Sequence, residues 1–226
     1  MVRLLIHEKQ LDPADKIQLI LSYFLQVILL VAIILSAYRM NWLIAFLTLA
    51  ILILTFVPAL IRKNYKIYTP IEFDFFTVLF IFSSLFLGEI HAYYTKLWWW
   101  DIVLHTTAGI LFGIFGFLLV YILNKEKHPK IHLEPGFIAL FSFGFAIAIG
   151  SLWEIFEFFV DSTFGLNMQK SGLVDTMWDL IVNTLGALFV SILGYFYLKG
   201  EKSVIFSRMV TKFVEKNSQL RRNKKI

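Results

Sequence analysis

Six apolar stretches, at about 17–38, 42–61, 73–94, 100–123, 136–160 and 175–198, dominate the chain and decide its architecture. Each is near the roughly 20 residues that an α-helix needs to cross about 30 Å of hydrocarbon. The pattern predicts an all-α integral membrane protein with six transmembrane helices. Composition agrees: 58% of the 226 residues are hydrophobic and 16% charged, with a mean hydropathy of +0.73, far from the balance of a soluble globular domain.

The first stretch is longer than a signal peptide's apolar region, lacks a small-residue cleavage site and follows a mixed-charge start with Glu8, Asp12 and Asp15. It reads as a retained span. Cysteine is absent, so disulfides and thiolate metal sites are excluded and any metal must use oxygen and nitrogen ligands.

Positive charge is retained on the cytoplasmic side of a membrane, and the 21 Lys and Arg divide unevenly between alternate connections: all but Arg39, Lys96 and Lys170 fall on one side. Both termini are therefore expected in the cytoplasm of a cytoplasmic-membrane protein. Eighteen bases against nine acids give +9 inside, and three against seven give −4 outside, which together make the formal +5 of the chain. The basic balance describes one membrane face and gives no reason to expect a nucleic-acid partner.

Seven of the sixteen acids, Glu89, Asp101, Glu154, Glu157, Asp161, Asp175 and Asp179, lie in or at the ends of the apolar stretches, all toward the extracytoplasmic side. An ionisable side chain near the bilayer centre costs roughly 2.5 to 3.5 kcal/mol, so such residues face a bundle interior or a cavity and mark a functional site.

Three regions follow. Residues 1–71 form a cytoplasmic N-terminus and a two-span hairpin with almost nothing ionisable in the membrane, which suits a scaffold. Residues 72–198 form a four-helix core carrying the polar site; Thr69, Pro70 and Glu72 have the order of a helix start, with Thr as N-cap and Pro at the first helical position. Residues 199–226 are a basic cytoplasmic tail in which Ile205, Met209 and Phe213 recur at helical spacing among Lys202, Arg208, Lys212 and Lys216. That pattern predicts an interfacial amphipathic helix, or simply a charged topology anchor.

The last four spans look like two parallel-repeat hairpins. Trp100-Asp101 through His105-Thr106 aligns without gaps to Trp178-Asp179 through Asn183-Thr184, and the match continues through Ile114/Ile192 and Gly116/Gly194. Both hairpins enter from the cytoplasm, so the repeat axis would lie along the membrane normal. The relation predicts Glu89, Asp101 and His105 facing Glu154, Asp179 and Asn183.

Helical spacing supports a shared pocket. Asp101 and His105 are four apart, with Gly109, Gly113 and Gly116 on about the same face; Asp175, Asp179 and Asn183 are spaced by four ahead of Gly186, Ala187 and Gly194. The fifth span runs the scheme in reverse, from Ala146 and Gly150 to Glu154, Glu157 and Asp161. Small-residue stripes let helices approach closely, so three polar stripes should converge outside a tight seam, with His91 bordering the pocket. So many carboxylates cannot all stay ionised in a desolvated pocket unless cations balance them. Shared protons are one solution. A divalent metal, Zn, Mn or Mg, is the other, with Glu89, Asp101, His105, Glu154 and Asp179 as ligands and Glu154, Glu157 and Asp179 as catalytic candidates.

Plainer readings exist for several of these residues. Asp101 and His105 alone suit a hydrogen-bonded pair, Asp175 before Thr176 suits an N-cap, and Asp161 could end its helix in water. Glu154 and Asp179, the deepest acids, are hardest to explain that way. Trp98, Trp99, Trp100, Tyr93 and Tyr94 fit an interfacial aromatic belt. No nucleophile elbow, phosphate-binding glycine loop or His-Glu-x-x-His motif is present.

Gly88-Glu89-x-His91-x-Tyr93, Trp100-Asp101-x-x-Leu104-His105-x-x-x-Gly109, Trp153-Glu154-x-x-Glu157-x-x-x-Asp161, Met168-Gln169 and Asp175-Thr176-x-x-Asp179-Leu180-x-x-Asn183-x-x-Gly186-Ala187 together resemble the YjdF-like bacterial and archaeal membrane proteins. The likeness spans about 72–198 and adds Gln169 to the residues around the pocket. The order of Glu157, Gln169, Asp179, Asn183 and Gly186 also faintly resembles VanZ-type membrane proteins of the cell envelope.

The expected function is that of a multi-pass membrane protein in the lipid bilayer whose acidic, outward-facing pocket serves a divalent-metal-dependent enzyme acting on an envelope lipid or a phosphate-bearing small molecule. A proton- or cation-coupled transporter is the alternative. A non-catalytic envelope accessory protein is the third reading, though a docking surface would keep its charges in the loops.

Overall fold

The computed structural model describes residues 13–65, 70–124, 133–165, 167–200, 210–213 and 217, and among them every regular element is helical. They are α1 (Pro13–Tyr38), α2 (Trp42–Leu54), α3 (Val57–Tyr65), α4 (Ile71–Ile81, continued by a π-helical segment Phe82–Ile90), α5 (Tyr93–Lys96), α6 (Trp100–Asn124), α7 (Pro135–Phe164) and α8 (Leu173–Leu198). Five are long and apolar enough to cross a membrane: α1, α4 with its π-helical continuation, α6, α7 and α8.

The expected second span is broken. α2 stops at Leu54, and α3 restarts at Val57 after a two-residue turn. Pro58 has no N–H to give the Leu54 carbonyl, and the Thr55 hydroxyl turns back to the Leu52 carbonyl at 2.7 Å. The expected start of the third span also shifts by one residue. Pro70 is the cap rather than the first helical residue, its carbonyl accepting from Phe73 and Asp74; Thr69, the expected cap, lies outside the described residues.

The chain divides into two compact units, residues 1–97 with 211–226, and residues 98–210. In the first, α1 packs on α2 and α4, and Leu29, Ile51, Phe82 and Phe86 form a buried cluster. The π-helical segment ends with the His91 N–H on the Phe86 carbonyl, five residues back, at 3.1 Å. A Cβ on Gly88 would overlap the Tyr94 ring, so a larger residue there would displace that ring.

At the other end of this unit, Lys212 Nζ donates to Asp15 at 2.8 and 3.0 Å and to Glu72 Oε1 at 3.1 Å, and Phe213 beside it is buried. This stretch of the expected tail helix is thus held by the protein's own acids. Lys202, Ile205, Arg208, Met209 and Lys216 lie outside the described residues.

The second unit is a three-helix bundle. α6 and α8 run parallel and in step: a Cβ on Gly109 would overlap the Asn183 carbonyl oxygen, one on Gly186 would overlap the Thr106 carbonyl oxygen, and Gly113 meets Val190. The glycines let the two backbones touch, as small-residue seams do in membranes. α7 runs antiparallel to both, stitched by Ser142 Oγ to the Gly113 carbonyl and Ser191 Oγ to the Ala139 carbonyl, each at 2.7 Å. These hydroxyls gain partners that hydrocarbon could not offer. α7 starts at Pro135, favoured at the first helical position, and ends at Gly165 in the left-handed conformation, φ 66°.

Candidate functional site

The buried face of α7 is one continuous stripe, Ala139, Ser142, Ala146, Gly150, Glu154 and Glu157, while Trp153, Ile155, Phe156 and Phe158 face outward. Helical periodicity therefore turns both glutamates into the bundle. On α8 the same logic turns Asp179 and Asn183 inward, above Gly186 and Ala187. Since α6 and α8 are parallel and in register, Asp101 and His105 near the start of α6 come level with Asp179.

His105 is the hub. Its Nε2 lies 3.3 Å from Asp101 Oδ1 and 3.9 Å from Asp179 Oδ2, and its Nδ1 lies 3.6 Å from Glu154 Oε1. Asp101, His105 and Asp179 each present one ligand atom, all within 4.8 Å of one another, so the three could hold a metal ion. Glu154 is the most exacting member. It is only 5% exposed, and neither carboxylate oxygen meets hydrogen-bond geometry with any donor, although the Thr176 hydroxyl stands beside it. A buried carboxylate without partners is costly, so this one asks for a cation or a proton.

The remaining predicted residues are placed as follows. Asn183, one turn deeper than Asp179 and 1% exposed, sends Nδ2 toward the Ala146 carbonyl at 3.4 Å, while its Oδ1 is buried without a donor. Its amide fits only because Gly150 leaves room. Glu157 is buried and accepts from the outward-facing Trp153 Nε1 at 2.8 Å. Asp161 accepts from the backbone N–H groups of Met168 at 2.8 Å and Gln169 at 2.9 Å, so it organises the α7–α8 loop. Gln169 Nε2 in turn donates to Thr176 Oγ1 at 2.8 Å. Asp175 lies in the first turn of α8, where the helix dipole favours an acid, and the cap itself is Gly172. Glu89 and His91 belong to the first unit, where both are exposed and the His91 ring stands edge-on to Phe86.

Sequence reasoning missed Lys170 and Trp153 as parts of the site. Lys170 is ion-paired with Asp101 Oδ2, 69 residues away. The available signal was that it is one of only three bases assigned to the outer side and sits between Gln169 and Gly172, in the connection that joins the two polar helices.

A Thermotoga maritima protein described as an uncharacterized protein is 32% identical to this chain over 123 residues, 53% of this chain and 62% of that protein, so the chain spans less than two thirds of that relative. No solved structure matches. The family described as predicted membrane protein (DUF2238) matches residues 17–200, most of the chain and all of the candidate site. The chain belongs to the DUF2238 family of membrane proteins.

Proposed function

We propose that Asp101, His105, Glu154 and Asp179 hold a divalent cation, and that the bound ion serves an enzyme acting on a phosphate-bearing envelope lipid or small molecule. The observation that carries the reading is the Asp101, His105 and Asp179 set, whose ligand atoms lie within 4.8 Å of one another, with Glu154 buried at the Nδ1 edge of the same imidazole and neither of its oxygens in hydrogen-bond geometry with a donor. One imidazole with several carboxylates suits Zn or Mn, and Mg fits an oxygen-dominated version of the same set. Helix bundles house metal sites of this kind, built from acids and His on facing helices. Such an ion clamps phosphate oxygens or activates water, with Glu157 nearby as a candidate general base. The excess of Lys and Arg in the other connections assigns the site to the extracytoplasmic end, with both termini in the cytoplasm and α2 with α3 together completing a sixth crossing.

The test is elemental analysis of detergent-purified protein beside the Asp179→Ala/Glu154→Ala double variant, both checked for monodispersity. Near-stoichiometric metal that disappears in the variant is the expected result, followed by release of phosphate or headgroup from envelope lipids. Two monodisperse proteins that take up no Zn, Mn or Mg even when it is added would remove the metal from the mechanism.

A second reading, a cation-coupled transporter, draws on the parallel pairing of α6 and α8, which brings Asp101 and Asp179, 78 residues apart, to the same ring nitrogen of His105. Parallel-repeat transporters place their sites at such interfaces. Substrate-dependent, cation-driven uptake into proteoliposomes would favour it over the enzyme.

A further inference from the structure

We infer that Lys170 is a built-in counter-cation that sets how tightly the site holds its metal, delivered and withdrawn by the α7–α8 loop. The inference rests on the metal reading of the Asp101, His105, Glu154 and Asp179 cluster. Asp101 divides its two oxygens between two jobs: Oδ1 faces His105 Nε2 at 3.3 Å, inside the cluster, while Oδ2 takes the Lys170 ammonium. Lys170 comes from outside the bundle and keeps its side chain 26% exposed, so it reaches in from the mouth of the site.

The loop is built to deliver it. The two residues before Lys170, Met168 and Gln169, are tied through their backbone N–H groups to the two oxygens of Asp161, and the Gln169 side chain is tied to Thr176. Lys170 itself takes a positive φ of 26°, within the turn that ends at Gly172. Three hydrogen bonds thus hold the two residues that lead into Lys170.

Formal charge explains what the placement accomplishes. Asp101, Glu154 and Asp179 bring formal negative charge to the cluster, buried Glu157 and Asp175 in the first turn of α8 add to the same field, and Lys170 is the lysine ion-paired within it. Without the ammonium the cluster turns one more uncompensated negative charge toward the ion. At separations of a few ångströms inside a protein, one such unit charge changes an ion's dissociation constant by about tenfold or more. Lys170 thereby keeps the metal exchangeable, and a loop movement that carried it away would tighten the site.

The experiment is Mn2+ titration, read by electron paramagnetic resonance, on the full-length protein in detergent. Lys170→Met is expected to bind Mn2+ at least about tenfold more tightly than wild type, whereas Lys170→Arg keeps wild-type affinity within about threefold. Asp161→Asn, which loosens the loop, should tighten binding in the same direction and add nothing to Lys170→Met. A lysine that merely fastened the loop would give the reverse, weaker binding in Lys170→Met. Unchanged or weaker binding in Lys170→Met, or tightening shared by Lys170→Arg, overturns the proposal while a Glu154- and Asp179-dependent site in wild type leaves the metal reading intact. Wild type without such a site overturns both.

Discussion

Asp15 and Glu72 in the first unit, and Asp101, Glu154 and Asp179 in the second, are all acids held largely away from water in a membrane-spanning chain, each group with one lysine. The arrangements differ in what the lysine completes. Lys212 donates to both acids of its group, so that group explains itself as an ion-paired staple between the starts of α1 and α4 and the residues at 211–213. Lys170 is ion-paired with Asp101, and neither oxygen of Glu154 meets hydrogen-bond geometry with a donor. The groups differ in degree: Glu72 leaves one buried oxygen, Oε2, without a hydrogen bond, whereas Glu154 leaves both, and a carboxylate so placed calls for an explanation.

The comparison can be broken in graded ways. The largest effect is expected for Gly109→Leu. Its side chain has no space against the Asn183 backbone, so α6 and α8 must part, costing more than about 3 kcal/mol and abolishing monodisperse protein in size-exclusion chromatography. Next comes Lys212→Met, which removes the ammonium bonded to two buried carboxylates and should lower stability by roughly 3 kcal/mol, read as a clear drop in the thermal midpoint in detergent.

Glu154→Gln should act in the opposite direction on stability. With chelator present it removes an unbalanced buried charge and is expected to raise stability by about 1 kcal/mol, while metal content falls. If Glu154→Gln destabilised the protein as Lys212→Met does, the two clusters would be the same kind of structural staple and the distinction would fail. The smallest effect belongs to Gln169→Ala, which removes one side-chain hydrogen bond to Thr176. It should cost about 1 kcal/mol or less in the thermal midpoint, and shift Mn2+ affinity only through the loop.

Much of this was legible in the sequence because membranes make periodicity strict. Twenty-residue apolar runs located α1, α6, α7 and α8 to within a few residues, and the four-residue spacing of Asp101 and His105 placed them on one face. The glycine stripes at 109–116 and 186–194 foretold a close helix contact, which Gly109 and Gly186 make between α6 and α8. Two things were hidden. The break at Thr55-Phe56 was not read, because Pro58 lies within an apolar run and membrane helices tolerate proline, so hydropathy averaging bridges the gap. Lys170 was missed because a loop's reach depends on φ values and side-chain clamps, which follow no period. Trp153, by contrast, stands four residues before Glu157 and was readable as its partner, but an aromatic residue on an apolar helix suggests lipid first.

The backbone contact between α6 and α8 has one more consequence, for the choice among ions. Helices that already touch at Gly109 and Gly186 cannot move closer, and the hydroxyl stitches from α7 resist their moving apart. Asp101 and Asp179 are therefore mounted on a frame of nearly fixed gauge. Calcium tolerates six to eight oxygens at roughly 2.3 to 2.6 Å in pliable shells, whereas magnesium and zinc demand about 2.0 to 2.2 Å. On the proposed metal reading, a stiff gauge set by glycine would discriminate by ionic radius, so the residues that bear on the choice of ion would include two that have no side chain with which to touch it.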